Sequence, residues 1–176
     1  MNRSERRRQK FQSKKLKKIN RPSAHFTPKD AHSIINATQQ SIAEAIKFHS
    51  AGDLVMAETI YQKILKSDPN QPIALHLLGV IALQVGKHDA AVDLIQKALS
   101  IKPDFAEAHS NLGNALRELQ KWDPAISHYR KAIDIKPDYA EAYCNLAIAF
   151  QHIGRIDDAI TSSQKALALM PDLTEA

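Results

Sequence analysis

The chain has 176 residues, of which 44% are hydrophobic, 24% charged and 6% aromatic, and its formal net charge is +5. This composition excludes a disordered chain, and the small numbers of Gly, Pro and aromatic residues beside abundant Ala, Leu and Ile favour an all-α fold. The single cysteine, Cys144, excludes an internal disulfide and a thiolate metal site, and no stretch approaches the roughly 20 apolar residues that span a bilayer, so we expect a cytoplasmic protein.

The first 26 residues form a basic segment with few apolar side chains. Residues 1–22 hold 10 of the chain's Lys and Arg residues but a single acid, Glu5, so we expect residues 1–26 to be a disordered arm. Clustered Lys and Arg bind nucleic acids or anionic membrane surfaces, which makes an anionic partner at residues 1–22 one interpretation and a solvated tail the other. A mitochondrial transit peptide fits less well because Lys dominates the later part of the arm.

A single long helix is predicted after the arm. Thr27 suits the N-cap, Pro28 suits the first helical position, and Gly52 ends the helix. Residues 27–37 of this helix form a helical lead-in, and we expect part of the helix face to be buried, either on the second of the repeats that follow or on a partner. The apolar residues that predict this face are Ile34, Ile35, Ile42 and Ile46.

The rest of the chain repeats itself. Pro69, Pro103, Pro137 and Pro171 are each 34 residues apart, and the segments around them are similar, as in IKPDFAEA and IKPDYAEA. A 34-residue period is typical of a helix–turn–helix repeat that packs on its neighbours. We therefore predict repeats at residues 38–71, 72–105, 106–139 and 140–173, with residues 174–176 as the truncated start of a fifth.

Small residues and turn residues recur at fixed positions within these repeats. Positions 8, 20 and 27 are mostly Ala or Gly, which lets the two helices of a repeat approach closely. Gly52, Gly86 and Gly154 are predicted to end first helices. Four aspartates are predicted to cap second helices, two aspartate–glutamate pairs to form capping boxes, and Pro124 to be a first helical residue. The caps are Asp53, Asp89, Asp123 and Asp157, and the boxes pair Asp104 with Glu107 and Asp138 with Glu141.

This pattern resembles the tetratricopeptide repeat family over residues 38–171. The family has small residues at positions 8, 20 and 27, aromatic residues at positions 4, 11 and 24, and proline at position 32. The end repeats depart most, with Glu44 at position 7 and Ser163 at position 24. The resemblance implies an all-α fold, a right-handed α-solenoid of four helix–turn–helix repeats. It also implies a protein-binding scaffold whose first helices line a concave groove.

The resemblance assigns six positions of each first helix to the groove. They are apolar in repeats one and two and polar in repeats three and four. Asn111 and Asn145 share position 6, and their segments AHSNLGNAL and AYCNLA resemble repeats of O-linked N-acetylglucosamine transferases, where asparagines at this position hold substrate backbone. Leu77 and Ala43 interrupt this ladder. The predicted peptide-binding residues are Asn111, Asn145, Asn114, Arg117, Ser110, Glu118, Gln151, His152, Leu77 and Val80.

Two plainer interpretations of these residues stay open. Asn111 and Asn145 are also acceptable as solvated residues of an exposed helix face. The apolar positions, which include Leu77 and Val80, would serve equally to pack the lead-in helix or to receive a partner's helix.

Enzyme chemistry has little support in the sequence. The histidines show no i, i+4 pair, and there is no Gly-rich phosphate loop, so we predict no catalytic residues, no metal site and no cofactor. His76, His109 and His152 are interpreted as groove or packing residues, and Trp122 as cover for a helix junction.

Three functional hypotheses follow. The first is a scaffold that binds a peptide or helix of a partner protein. The second is the substrate-selecting N-terminal region of a longer enzyme, an O-GlcNAc-type glycosyltransferase, and the third is association of the basic arm with nucleic acid or anionic membrane. The opening MNRSERRR is similar to bacterial repeat proteins with transferase domains downstream. Because MPDLTEA begins a fifth repeat, we expect a fragment of a longer protein or self-association through the uncapped C-terminal repeat.

Overall fold

The structure, a computed structural model, describes residues 28–170, apart from the side chains of residues 28–32 and of Ile34. The basic arm, Thr27 and the predicted start of a fifth repeat lie outside the described residues. The chain divides into two compact units, with the boundary between Ala37 and Thr38. The packing described below is that of residues 38–170.

Eight helices follow one another in the described residues, and short turns join them. They are α1 (Pro28–Ser50), α2 (Leu54–Ser67), α3 (Pro72–Gln84), α4 (His88–Ile101), α5 (Ala106–Glu118), α6 (Trp122–Ile135), α7 (Ala140–His152) and α8 (Ile156–Leu169). The pairs α3–α4, α5–α6 and α7–α8 make the most extensive contacts, and the second helix of each pair also packs on the first helix of the next. The predicted all-α fold is confirmed.

The first helices end where the glycines predict. Gly52, Gly86 and Gly154 have φ values of 82°, 75° and 77°, in the left-handed region that glycine adopts without a steric penalty. In the third repeat the equivalent residue is Gln120, whose φ is 58°. The same helix-ending backbone therefore forms at all four turns, although the third lacks the glycine.

The predicted caps of the second helices are correct for Asp53 and wrong for the other three aspartates. Asp53 Oδ1 accepts a hydrogen bond from Met56 N at 3.0 Å. Asp89, Asp123 and Asp157 instead lie in the first turn of their helices, because they occupy repeat position 18 whereas Asp53 occupies position 16. In the first turn their carboxylates still interact favourably with the positive end of the helix dipole. Pro124 was likewise misplaced: it is the third residue of α6, not the first.

The two predicted capping boxes are also wrong. The N-cap residues of α5 and α7 are Phe105 and Tyr139, and neither makes a side-chain cap hydrogen bond. Phe105 packs against the core instead. A side-chain cap does open α3, where Gln71 Oε1 accepts from Ile73 N at 2.6 Å and from Ala74 N at 3.0 Å.

Small residues at position 8 allow the close helix approach that the pattern predicts. A Cβ atom added to Gly113 would lie 2.5 Å from Tyr129 Cε1, and one added to Gly79 would lie 2.6 Å from Ile95 Cγ1. Glycine is therefore required at these two positions by the large residue that faces it.

Three groups of buried side chains form the core, and each spans successive helices. The first joins α1, α2 and α3 through residues such as Ile42, Tyr61 and Ile81. A small alanine group links α3, α4 and α5. The third runs from Ile95 on α4 to Ala159 on α8, with Trp122 packed against it as predicted for a residue at a helix junction. The core is thus built between neighbouring repeats, as in other repeat proteins.

Candidate functional site

The predicted peptide-binding residues all come from the first helices of repeats two, three and four. Two apolar ones lie on α3, five on α5 and three on α7. The asparagines among them are held by hydrogen bonds, and two of these bonds join neighbouring repeats. We call Asn111, Asn114 and Asn145 the amide row.

Asn111 is bound to a buried histidine of the preceding repeat. Its Nδ2 donates to His76 Nε2 at 2.9 Å, which links α5 to α3. The His76 side chain is 4% exposed, its ring packs edge-on against Phe105, and its Nδ1 has no hydrogen-bond partner. Burial lowers the pKa of His76 to about 4, with Glu107 opposing the shift and Lys102 adding to it. His76 is therefore neutral near pH 7 and able to accept the amide hydrogen.

Asn145 is bound to an arginine of the preceding repeat. Arg117 Nη1 donates to Asn145 Oδ1 at 3.3 Å, which links α5 to α7. Arg117 Nη2 also donates to Glu118 Oε1 at 3.0 Å. The Arg117–Glu118 pair is partly exposed, so it adds little stability, but it steadies the guanidinium that holds Asn145.

Asn114 is bound within its own repeat. The Tyr129 hydroxyl on α6 donates to Asn114 Oδ1 at 2.9 Å. Burial raises the pKa of Tyr129 to about 12, so the hydroxyl keeps its proton under ordinary conditions.

Each amide keeps hydrogen-bonding groups that these contacts do not use. An amide offers two N–H donors and an oxygen with two lone pairs. Within the part of the chain that the structure describes, Asn111 retains Oδ1 and one N–H, and Asn145 retains both N–H groups and one lone pair. The three residues are half-buried. The amide row thus consists of fixed amides that still face solvent.

The other predicted residues have varied surroundings. Ser110 is fully buried, so its assignment to an open groove is wrong. Leu77 and Val80 are half-buried, and Leu77 packs against the first core group. Glu118 and Gln151 are exposed, and the exposed His152 stacks on Trp122 with 3.8 Å between ring centroids.

From the sequence, His76 is predicted to be a groove or packing residue, with no connection to Asn111. The signal was available in the spacing: His76 and Asn111 are 35 residues apart, one repeat plus one residue. The same separation joins His49 Nε2 to Gln84 Oε1 at 2.9 Å. Polar residues at adjacent positions of successive first helices are therefore in reach of each other.

A pair of histidines, His109 and His128, lies in a cleft of about 480 Å³ between α4, α5 and α6. His109 Nε2 donates to the Pro103 carbonyl at 3.0 Å, so its Nδ1 accepts from His128 Nδ1, also at 3.0 Å. Burial lowers the pKa of both rings, that of His128 to about 4. Among the side chains that the structure describes, no three His, Cys, Asp or Glu residues converge in a way that would hold a metal ion.

No helix in the described part of the chain combines the length and the apolar character needed to cross a membrane. No curated protein matches the chain significantly in sequence.

Solved structures resemble the fold. A crystal structure of MamA is 23% identical with a TM-score of 0.69, and the match covers 84% of this chain and 89% of that one. A thermophilic TPR protein of Thermus thermophilus is 22% identical with a TM-score of 0.68, covering 75% and 74%. A mutant O-GlcNAc transferase of Thermobaculum terrenum is 28% identical with a TM-score of 0.64, covering 66% of this chain but 22% of that one.

Sequence models of the repeat match most of the region in which the period was found. A model described as "TPR repeat" matches residues 82–119 and 113–154. Two models described as "Tetratricopeptide repeat" match residues 60–93 and 140–173. The helix pairs, the 34-residue period and these matches lead to one assignment: the chain is an all-α solenoid that belongs to the tetratricopeptide repeat family.

Proposed function

We propose that this chain is a protein-interaction scaffold whose amide row binds an extended segment of a partner protein through the partner's backbone. The hydrogen bonding of Asn111 and Asn145 supports this proposal. They occupy the same position in successive repeats, each is fixed by one hydrogen bond, and each keeps a donor and an acceptor free.

A free amide donor and acceptor match the C=O and N–H of one residue in an extended chain. Such pairing does not depend on the partner's side chains, so the amide row would supply affinity while residues around it supply selectivity. The half-buried Leu77 and Val80 and the Ile46 side chain, which is 42% exposed, offer apolar contacts for the partner's side chains.

The proposal is tested by selecting peptides from a random phage-displayed library against the full chain and measuring the affinity of the selected peptide for two double variants. Asn111→Ala with Asn145→Ala removes both amides. Gln96→Ala with Gln164→Ala is the matched control. These two exposed amides share repeat position 25 and lie on the second helices α4 and α8.

We expect the groove variant to weaken binding about 10- to 100-fold, since each lost hydrogen-bonding residue removes about 1 kcal/mol or somewhat more. The control variant should bind and melt like the wild type. The groove variant should keep the wild-type circular dichroism but have a somewhat lower Tm, because Asn111→Ala leaves the buried His76 Nε2 without a donor, so affinities are compared well below its Tm. N-methylation of peptide backbone N–H groups should weaken binding to the wild type. If the groove variant binds as tightly as the control, the amide row is not the binding site.

A second candidate function is supported by the likeness to an O-GlcNAc transferase. At 28% identity the match covers 66% of this chain, but it spans only 22% of the transferase. On this candidate the amide row would select substrates for a glycosyltransferase domain encoded downstream. Sequencing the gene beyond codon 176 tests it: an in-frame transferase domain supports this function, and a stop codon at that point excludes it.

A further inference from the structure

We infer that His76 is a positioning residue for the amide row: it fixes the Asn111 side chain so that the free oxygen and remaining N–H are preset for a ligand. This inference rests on the proposed function. It concerns a residue that would not itself contact the ligand, because His76 is 4% exposed and lies beneath Asn111 in the preceding repeat.

The buried histidine is an unfavourable choice for packing alone. Its Nε2 accepts from Asn111, so the neutral ring carries its proton on Nδ1, and that N–H is buried without a partner. A buried donor without a partner destabilises the folded state. Position 5 accepts an apolar residue in this same chain, since Ile42 is buried there in the first repeat. Packing would therefore be satisfied by isoleucine at residue 76.

The residue types at position 5 follow those at position 6 of the next repeat. Ile42 at position 5 of the first repeat corresponds to Leu77 at position 6 of the second. In the same way His76 corresponds to Asn111, and Ser110 corresponds to Asn145. Position 5 is thus buried and polar where the next repeat carries a groove asparagine, and apolar where it does not. Ser110 Oγ does not bond Asn145, which Arg117 holds instead.

Fixing the amide has a direct consequence for binding. A free asparagine side chain loses rotamer freedom when a ligand orders it, and that loss weakens affinity. The hydrogen bond from Asn111 to His76 restricts the rotamer beforehand and also decides which end of the amide is oxygen. Removal of His76 should therefore weaken binding without unfolding the chain.

The binding test uses the peptide selected against the wild-type chain and the variants His76→Ile and His76→Gln. We expect His76→Ile to lower affinity roughly three- to tenfold, the effect of one newly mobile side chain. His76→Gln should bind like the wild type, because the Gln oxygen can accept from Asn111 Nδ2. In the Asn111→Ala background, His76→Ile should cause no further loss, because the two residues act as a unit.

A binding-independent measurement checks the geometry. Long-range ¹H–¹⁵N spectra of the full chain should show His76 as the tautomer protonated at Nδ1, with Nε2 unprotonated near pH 7. The Tm of His76→Ile should equal or exceed that of the wild type, because the buried unpaired N–H is gone. If His76→Ile does not fold, the tautomer still tests the inference, because a proton on Nε2 would overturn it.

Two failures are distinguishable. If Asn111→Ala with Asn145→Ala leaves peptide affinity intact, the proposed function is wrong. If that variant weakens binding but His76→Ile binds like the wild type, or if Nε2 carries the proton, then the amide row binds its ligand without help from His76 and the inference is overturned.

Discussion

Acidification should destabilise the folded chain through His76. Burial lowers the pKa of this ring from 6.5 to about 4 in the folded state. The unfolded chain therefore binds the proton first as the pH falls. The stability that the neutral ring allows is complete above the unfolded pKa of 6.5 and is lost as the pH falls from there to about 4.

The magnitude follows from these two pKa values. At about pH 5 an unfolded histidine is almost fully protonated and a folded one with a pKa of about 4 is almost fully neutral, which costs about 2 kcal/mol of stability. Because the side chain is 4% exposed, solvent screening does not reduce this figure much. The lowered pKa values of His109 and His128 act in the same direction, and solvent screens the half-buried His128 more than the buried His76.

The assay is urea unfolding of the wild type and of His76→Ile at about pH 7.5, 6 and 5, followed by both circular dichroism and Trp122 fluorescence to establish that the transition is two-state. Other titrating groups are shared by the two proteins, so the difference between them isolates His76. We expect the wild type to lose about 2 kcal/mol more than the variant between about pH 7.5 and 5.

Parallel pH dependence of the two proteins would refute this reasoning. A difference that stays within about 0.5 kcal/mol would mean that His76 takes up its proton in the folded chain as easily as in the unfolded one. The ring would then be neither desolvated nor committed to accepting the Asn111 hydrogen.

Three further outcomes are expected. Gly113→Ala should lower stability by about 1–2 kcal/mol in urea unfolding, because the added methyl meets the Tyr129 ring at 2.5 Å and this strain exceeds the better helix propensity of Ala; an unchanged or higher midpoint would contradict the close packing. Gln120→Gly should raise the free energy of unfolding by about 0.5–1 kcal/mol, because glycine adopts the left-handed backbone with φ of 58° without strain. Gly154→Ala at the equivalent turn should lower the free energy of unfolding, and changes of the opposite sign would contradict a strained turn at Gln120. Deletion of residues 1–22 should abolish binding to phosphatidylserine vesicles or single-stranded RNA, and wild-type binding should weaken steeply with salt; salt-independent binding would exclude an electrostatic arm.

The periodic features of the fold were predictable because they depend on neighbours close in sequence. A left-handed turn favours glycine and a close helix crossing requires small residues, and the 34-residue period shows where both recur. The structure confirms the helix ends at Gly52, Gly86 and Gly154. The helix starts were less predictable. Aspartates two residues inside the helix look like caps in sequence, and at Phe105 and Tyr139 aromatic N-cap residues replaced the expected capping boxes.

The sequence by itself determined that the chain forms helix pairs, where the first helices end and which residues share position 6. Only the tertiary structure decided how the asparagines are held. The bonds from Asn111 to His76 and from Arg117 to Asn145 join residues 35 and 28 positions apart. Likewise Ser110, which reads as a polar groove residue, is fully buried. The physical reason is that burial and side-chain pairing arise where one repeat packs on the next, and that surface does not exist until the repeats have stacked.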